Sequence, residues 1–415
     1  MKSAAALALA VALALGATSA GSARPDRVRI SVTPVSTLAD EPVHIRIAGL
    51  GPRKLATVGV RATDANGKRW HSSAIFRANA RGVIEIDRGK AISGSYRGVW
   101  GMGLIATMTT KAPLAGYAFA WGSQSTRFRV VVGARGTAFQ RAHRIRPLRD
   151  ELHTVEGSGF YGRYFADETG RPGPAVLLLG GSEGGLSGSP IAELLAQHGF
   201  PTLALGYFHA PGLPETLANI PLEYFAGALR WLREQPEVDS THVTVIGVSR
   251  GSEAAQLLGV HYPELVQAVV PSVPSNVALC AFPPTPGSSW TFEGRLVPCT
   301  TQFNDPAPSD DPAAVIPDER IRGPVFLVCG GLDSIWLSCP YARTIMARLE
   351  DFHHPYADSL HAFARAGHFV GGLVPYQLAA PPLLTVPADE RGREDVWPKL
   401  LSFLSLRDAR GRGGR

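Results

Sequence analysis

Cysteine is scarce in this chain. There are four in 415 residues, and none precedes Cys280. The spacings of Cys280, Cys299, Cys329 and Cys339 match no paired zinc-ligand pattern, so no metal site is expected, and nothing in the chain implies a cofactor. Long apolar runs are equally scarce. Beyond Ala4 to Leu15 no stretch is long enough to cross a bilayer, which excludes stable membrane insertion. Interleaved basic and aromatic residues are also missing from the body of the chain. The formal charge of +6, part of it in the Gly/Arg tail, therefore does not point to nucleic acid.

What is present at the amino terminus is a leader. Lys2 precedes the apolar run, and the small residues Gly16 to Ala20 offer a cleavage point, so residues 1–23 read as a signal peptide and the mature protein as exported. At the other end, residues 406–415 cannot bury apolar surface and read as a disordered basic tail. An even number of cysteines in an exported chain suggests disulfides. The simplest pairing is Cys280 with Cys299 and Cys329 with Cys339, although three pairings are possible.

Between these ends the pattern changes once. Residues 27–135 alternate apolar and polar in short runs, as in Val28–Val32, Val43–Ile47, Ala56–Ala62 and Phe128–Val132, with a turn signal at Asp64–Gly67. That is the signature of a small antiparallel β-sandwich. Within it, Gly94–Leu104 mixes glycines with Tyr96, Trp100 and Met102; this loop is expected either in the sandwich core or as a wall against the second domain. Residues 140–405 instead alternate four- and five-residue apolar runs with helical segments. The runs are Ala175–Leu179, Thr202–Leu205, Val243–Ile246, Ala268–Val270 and Val325–Val328. Such runs are strands buried on both faces, and the expected fold is a doubly wound, mostly parallel sheet. The Pro-rich stretch 271–324 is too long for a plain connection and reads as a cap insertion.

The second domain carries a chemical constellation. Gly247-Val-Ser249-Arg250-Gly251 follows a strand and runs directly into a helix, the setting of a nucleophile elbow. Gly180-Gly181-Ser182-Glu183-Gly184 has the same string, but Gly185–Pro190 delays any helix, so it reads as an oxyanion loop. A serine needs a base, and the base needs a carboxylate to hold its tautomer. In the order Ser, Asp, His, the acid is Asp333, which ends the run Val325–Gly331, and the base is His368, which follows Gly367; His353, His354 and His361 are its competitors. The oxyanion donors would be the N–H of Arg250 and that of Gly181 or Ser182.

With these residues placed, the whole mature chain resembles the family of acyl-CoA thioester hydrolases and bile acid-CoA:amino acid N-acyltransferases. The resemblance rests on Gly94-Ser-Tyr96-Arg-Gly98, Leu222-Glu-Tyr-Phe225, Gly247–Glu253, Gly331–Trp336 and Ala366–Phe369. It implies an immunoglobulin-like sandwich followed by an α/β-hydrolase domain, with Ser249, Asp333 and His368 as nucleophile, acid and base. Members that pass an acyl group to an amino acid characteristically use cysteine as nucleophile. Serine here therefore favours water as acceptor, and the expected activity is hydrolysis of a small-molecule acyl thioester or ester through an acyl-serine intermediate. Carboxylester or peptide/amide hydrolysis on the same fold is the alternative. The oligomeric state is not legible.

Overall fold

A computed structural model describes residues 28–110, 117–121, 125–168, 170–380 and 386–406. The leader at 1–23 and the Gly/Arg tail from residue 407 onward lie outside the described residues.

Among the described residues, the amino-terminal part is built mainly from two sheets. One contains β1 (Arg29–Thr33), β3 (His44–Ala48) and β6 (Ile84–Glu85); the other runs β7-β5-β4-β8-β9-β2, with β2 at Ser36–Leu38, β4 at Leu55–Thr63, β5 at Arg69–Arg77, β7 at Thr109–Thr110, β8 at Thr126–Val132 and β9 at Arg135–Ala142. Strict alternation drives the packing. In β5, Trp70, Ser72, Ala74 and Phe76 point inward while Arg69, His71, Ser73 and Arg77 face out. Strand β9 pairs with β8 along its length, so the sandwich continues to Ala142. The loop with Tyr96, Trp100 and Met102 packs into this core, and Trp100 also donates its indole N–H to both Glu394 oxygens at 2.8 Å. It is therefore both core and wall.

The rest is organised on an eight-stranded sheet in the order β10-β11-β13-β12-β14-β15-β16-β17. Its strands are β10 (Leu148–His153), β11 (Tyr161–Asp167), β12 (Gly173–Leu179), β13 (Thr202–Gly206), β14 (Val238–Val248), β15 (Ala268–Ser272), β16 (Phe326–Gly330) and β17 (Ser359–Phe363). The pairs from β13 through β17 are parallel, whereas β10 pairs antiparallel with β11 and β11 antiparallel with β13, so β11 alone runs against the rest of the sheet. Helices α1 (Ser189–Gln197), α2 (Leu222–Arg233), α3 (Arg250–His261), α4 (Ser338–Asp351) and α5 (Val386–Leu404) accompany the sheet. Because β12 to β16 are hydrophobic on both faces, two core clusters form, one on each side. An immunoglobulin-like sandwich followed by an α/β-hydrolase sheet is the fold expected from the sequence. Among the described residues no helix is long and apolar enough to cross a membrane.

The sandwich and the sheet domain share buried contacts. Asp40, 4% exposed, stands 2.5 Å from His198 Nε2 and accepts the Trp397 indole N–H at 2.7 Å. Tyr117–Ala118 pairs antiparallel with Ala379–Ala380, and Tyr376 and Leu378 are buried within the sandwich core.

Candidate active site

Ser249 sits between β14 and α3 with φ 55° and ψ −123°, a left-handed conformation that a non-glycine residue adopts only under constraint. The constraint is visible. Its N–H donates to Ser272 O at 3.0 Å, and its own carbonyl accepts the Ser252 N–H at 2.8 Å. The turn closes because Gly247 and Gly251 lack side chains: a Cβ at Gly247 would overlap the Gly251 carbonyl, and one at Gly251 would overlap the Gly180 carbonyl. Helix α3 starts at Arg250, so the N–H of Arg250 lies in its first turn.

The Arg250 side chain is buried beneath the Pro-rich stretch. Its Nη2 donates to Leu279 O at 3.1 Å, to Cys280 O at 3.0 Å and to Ser289 Oγ. Its Nη1 lies 3.1 Å from Glu253 Oε1, while Glu253 Oε2 accepts from Trp290 Nε1 at 3.0 Å and Leu279 N at 3.1 Å. Burial raises the Glu253 carboxyl above its ordinary range, against the opposing pull of Arg250 and the two N–H donors. The Cys280–Cys299 disulfide lies in this stretch. None of the partners of Arg250 and Glu253 was visible in the sequence. A Glu three residues into a helix reads as a solvated first-turn acid.

Asp333 and His368 follow neighbouring strands β16 and β17. Asp333 Oδ2 is 2.8 Å from His368 Nδ1, and its Oδ1 accepts the N–H groups of Ile335 at 3.0 Å and Trp336 at 3.3 Å. The Asp333 side chain is 1% exposed and that of His368 10%. Their loops are laced together by Gly331 N to Phe363 O at 2.9 Å and Leu332 N to Ala366 O at 2.8 Å. The second disulfide, Cys329–Cys339, joins the end of β16 to the start of α4 across the loop that carries Asp333. The other histidines are engaged elsewhere or open to solvent. His354 sits between Asp358 Oδ2 at 2.6 Å and Ile321 O at 2.8 Å, His361 packs on Phe326 with ring centroids 4.3 Å apart, and His353 is exposed.

The loop after β12 passes beside the elbow. Gly181 N donates to Glu183 Oε1 at 3.0 Å, Ser187 Oγ donates to the same oxygen at 2.6 Å, and Tyr207 OH donates to Gly180 O at 2.6 Å. Ser182 is exposed and seven residues short of helix α1, so its string is not an elbow. Glu183 and Tyr207, which brace this loop, were not apparent from the sequence, because neither stands in a recognisable motif. Among the described residues no group of three His, Cys, Asp or Glu side chains is arranged to hold a metal ion.

Comparisons with known proteins place the chain. Residues 40–134 match the model of the acyl-CoA thioester hydrolase/BAAT N-terminal region, and residues 220–380 match that of the BAAT/acyl-CoA thioester hydrolase C terminus. Acyl-coenzyme A amino acid N-acyltransferase 2 of Rattus norvegicus is 28% identical over 367 residues, covering 83% of this chain and 87% of its own. Acyl-coenzyme A thioesterase 6 of Mus musculus is 28% identical over 402 residues, covering 88% and 93%. Among solved structures, a putative dienelactone hydrolase from Klebsiella pneumoniae aligns with 62% of this chain and 99% of its own at 15% identity and a TM-score of 0.46. With both family models matched in chain order, the protein belongs to the acyl-CoA thioester hydrolase/BAAT family.

Proposed function

We propose that the protein is a serine hydrolase of acyl thioesters, acting through an acyl-Ser249 intermediate. The observation that carries this reading is the buried Asp333 carboxylate 2.8 Å from His368 Nδ1, on the loops after the two strands that follow the elbow strand and its neighbour β15. Asp333 would fix the tautomer in which His368 Nε2 is free to accept the Ser249 proton. Attack of Ser249 Oγ on the acyl carbon then forms a tetrahedral oxyanion, held by the N–H of Arg250 and that of Ser182, the Gly181 N–H being given to Glu183. Collapse expels the thiolate, which takes a proton from His368. Water, activated by the same imidazole, releases the acid.

Hydrolysis is favoured over transfer because the nucleophile position holds serine. The leader at residues 1–23 supports export, so the working substrate is an acyl thioester or ester met outside the cytoplasm. Purified mature protein should hydrolyse acyl-CoA and p-nitrophenyl acyl esters, and a fluorophosphonate should label Ser249. Ser249→Ala should lower kcat at least about a thousandfold. Retention of activity or of labelling in that variant would overturn the assignment.

A further inference from the structure

The sandwich and the remainder of the chain carry opposite charge. Residues 28–142 hold 17 Lys and Arg against five Asp and Glu, a formal +12, whereas residues 143–415 hold 21 against 29, a formal −8. Four of these arginines share one outer sheet face. His71 of β5 stands directly opposite Arg61 of β4, which stands directly opposite Arg129 of β8. One pleat further along lie Arg69, paired with Thr63, and Arg127. These side chains, with Lys68 and Thr110, line a groove of about 960 Å³.

Nothing in the fold requires this row. Like charges placed directly opposite one another weaken a sheet, and among the described residues Arg61, Arg69, Arg127 and Arg129 enter no ion pair. Asp64, in the turn between β4 and β5, is 5% exposed and accepts the Trp70 indole N–H at 3.1 Å and the Lys68 backbone N–H at 2.9 Å. All four arginines are exposed, and the alternating core residues Ala62, Trp70 and Phe128 fix the strand faces from beneath.

We infer that this groove binds a soluble ligand carrying two or more phosphate groups. Guanidinium forks are the side chains best matched to phosphate oxygens. Neighbouring cations are separated by about 5 Å across strands and about 7 Å along them, so one phosphate reaches only part of the set and linked phosphates reach both rows. The volume falls in the range of small-molecule sites.

The test is calorimetric titration of the full mature chain with tripolyphosphate, pyrophosphate and inorganic phosphate, at low and at 0.5 M salt as roughly chosen screening limits. Tripolyphosphate should bind at least about tenfold more tightly than inorganic phosphate and weaken at high salt. The double variant Arg61→Gln/Arg129→Gln should lose at least about tenfold in tripolyphosphate affinity while its Tm stays level or rises, because repulsion is relieved. Arg77→Gln/Arg81→Gln, on the same sandwich outside the groove, should bind normally. If the first variant fails to fold, Arg69→Gln/Arg127→Gln probes the second row with the same expectation. Equal affinity for tripolyphosphate and inorganic phosphate would overturn the site, as would unchanged affinity in the folded groove variants. So would binding to phosphatidylglycerol vesicles with no binding of tripolyphosphate.

Discussion

Asp333 and His368 are joined Oδ2 to Nδ1 at 2.8 Å, and the second Asp333 oxygen is already filled by the N–H groups of Ile335 and Trp336. The carboxylate is thus anchored from one side and free to orient the imidazole from the other. Asp333→Asn keeps the size but presents an amide that can stabilise the wrong tautomer. The expected result is a fall in kcat of roughly 10³ to 10⁴ with little change in Tm. A kcat within tenfold of the parent would remove Asp333 from the acid role.

The Arg250–Glu253 pair is buried on both sides, at 3% and 0% exposure. Removing one partner of such a pair leaves an uncompensated charge, so Arg250→Met should destabilise by about 3–5 kcal/mol. Adding Glu253→Gln should recover a large part of that loss, since the amide still offers an acceptor to Trp290 Nε1 and Leu279 N. Denaturant midpoints of the two single variants and the double variant measure the coupling, and simple additivity would argue against it.

The Cys329–Cys339 bond closes the loop that carries Asp333. The closed loop spans ten residues and contains Asp333, Trp336 and Ser338. Chain-entropy reasoning gives about 2–3 kcal/mol for a loop of this length. Cys329→Ser/Cys339→Ser should therefore lower stability by about that amount and reduce kcat/KM more than Cys280→Ser/Cys299→Ser does. Steady-state kinetics alongside thermal melts separate the two contributions, and equal kinetic losses in both variants would count against the acid loop being held by its disulfide.

His143 is 4% exposed and its ring lies tilted against that of Trp121, with centroids 4.8 Å apart. Burial, only partly opposed by Asp40 and Gln377, lowers its pKa to about 4. A histidine depressed in the fold gives stability that is fully present above its unfolded pKa of roughly 6.5 and is lost as pH falls through the folded value. The group should account for up to about 3 kcal/mol of lost stability between pH 7 and pH 4. In His143→Phe the pH dependence over that window should flatten, as read from urea unfolding at a series of pH values.

Much of this architecture was written in local patterns. The elbow was legible because β-branched residues, a Gly-flanked serine and a helix follow one another without interruption, and Asp333 because it ends a run of five apolar residues. Helix α5 was not, since Gly392 and Pro398 interrupt a segment that Val396, Trp397 and Leu400 nevertheless bury against the sheet. Tertiary packing there overrides weak local preference. The strands β10 and β11 were hidden for a different reason: Arg149, Asp150, Glu151 and Arg163 fill them with charge, which on the exposed edge strand β10 guards against unwanted pairing. Arg250, Glu253 and Trp290 meet only in three dimensions, so neither motif nor period could assemble them.

Tyr376 and Leu378 belong to the hydrophobic core of a sandwich whose own strands end at Ala142. During synthesis the first-made layer therefore waits for a plug encoded more than 230 residues downstream of its last strand. Until that plug is available, the apolar interior around Trp70, Phe76 and Phe128 has an open side.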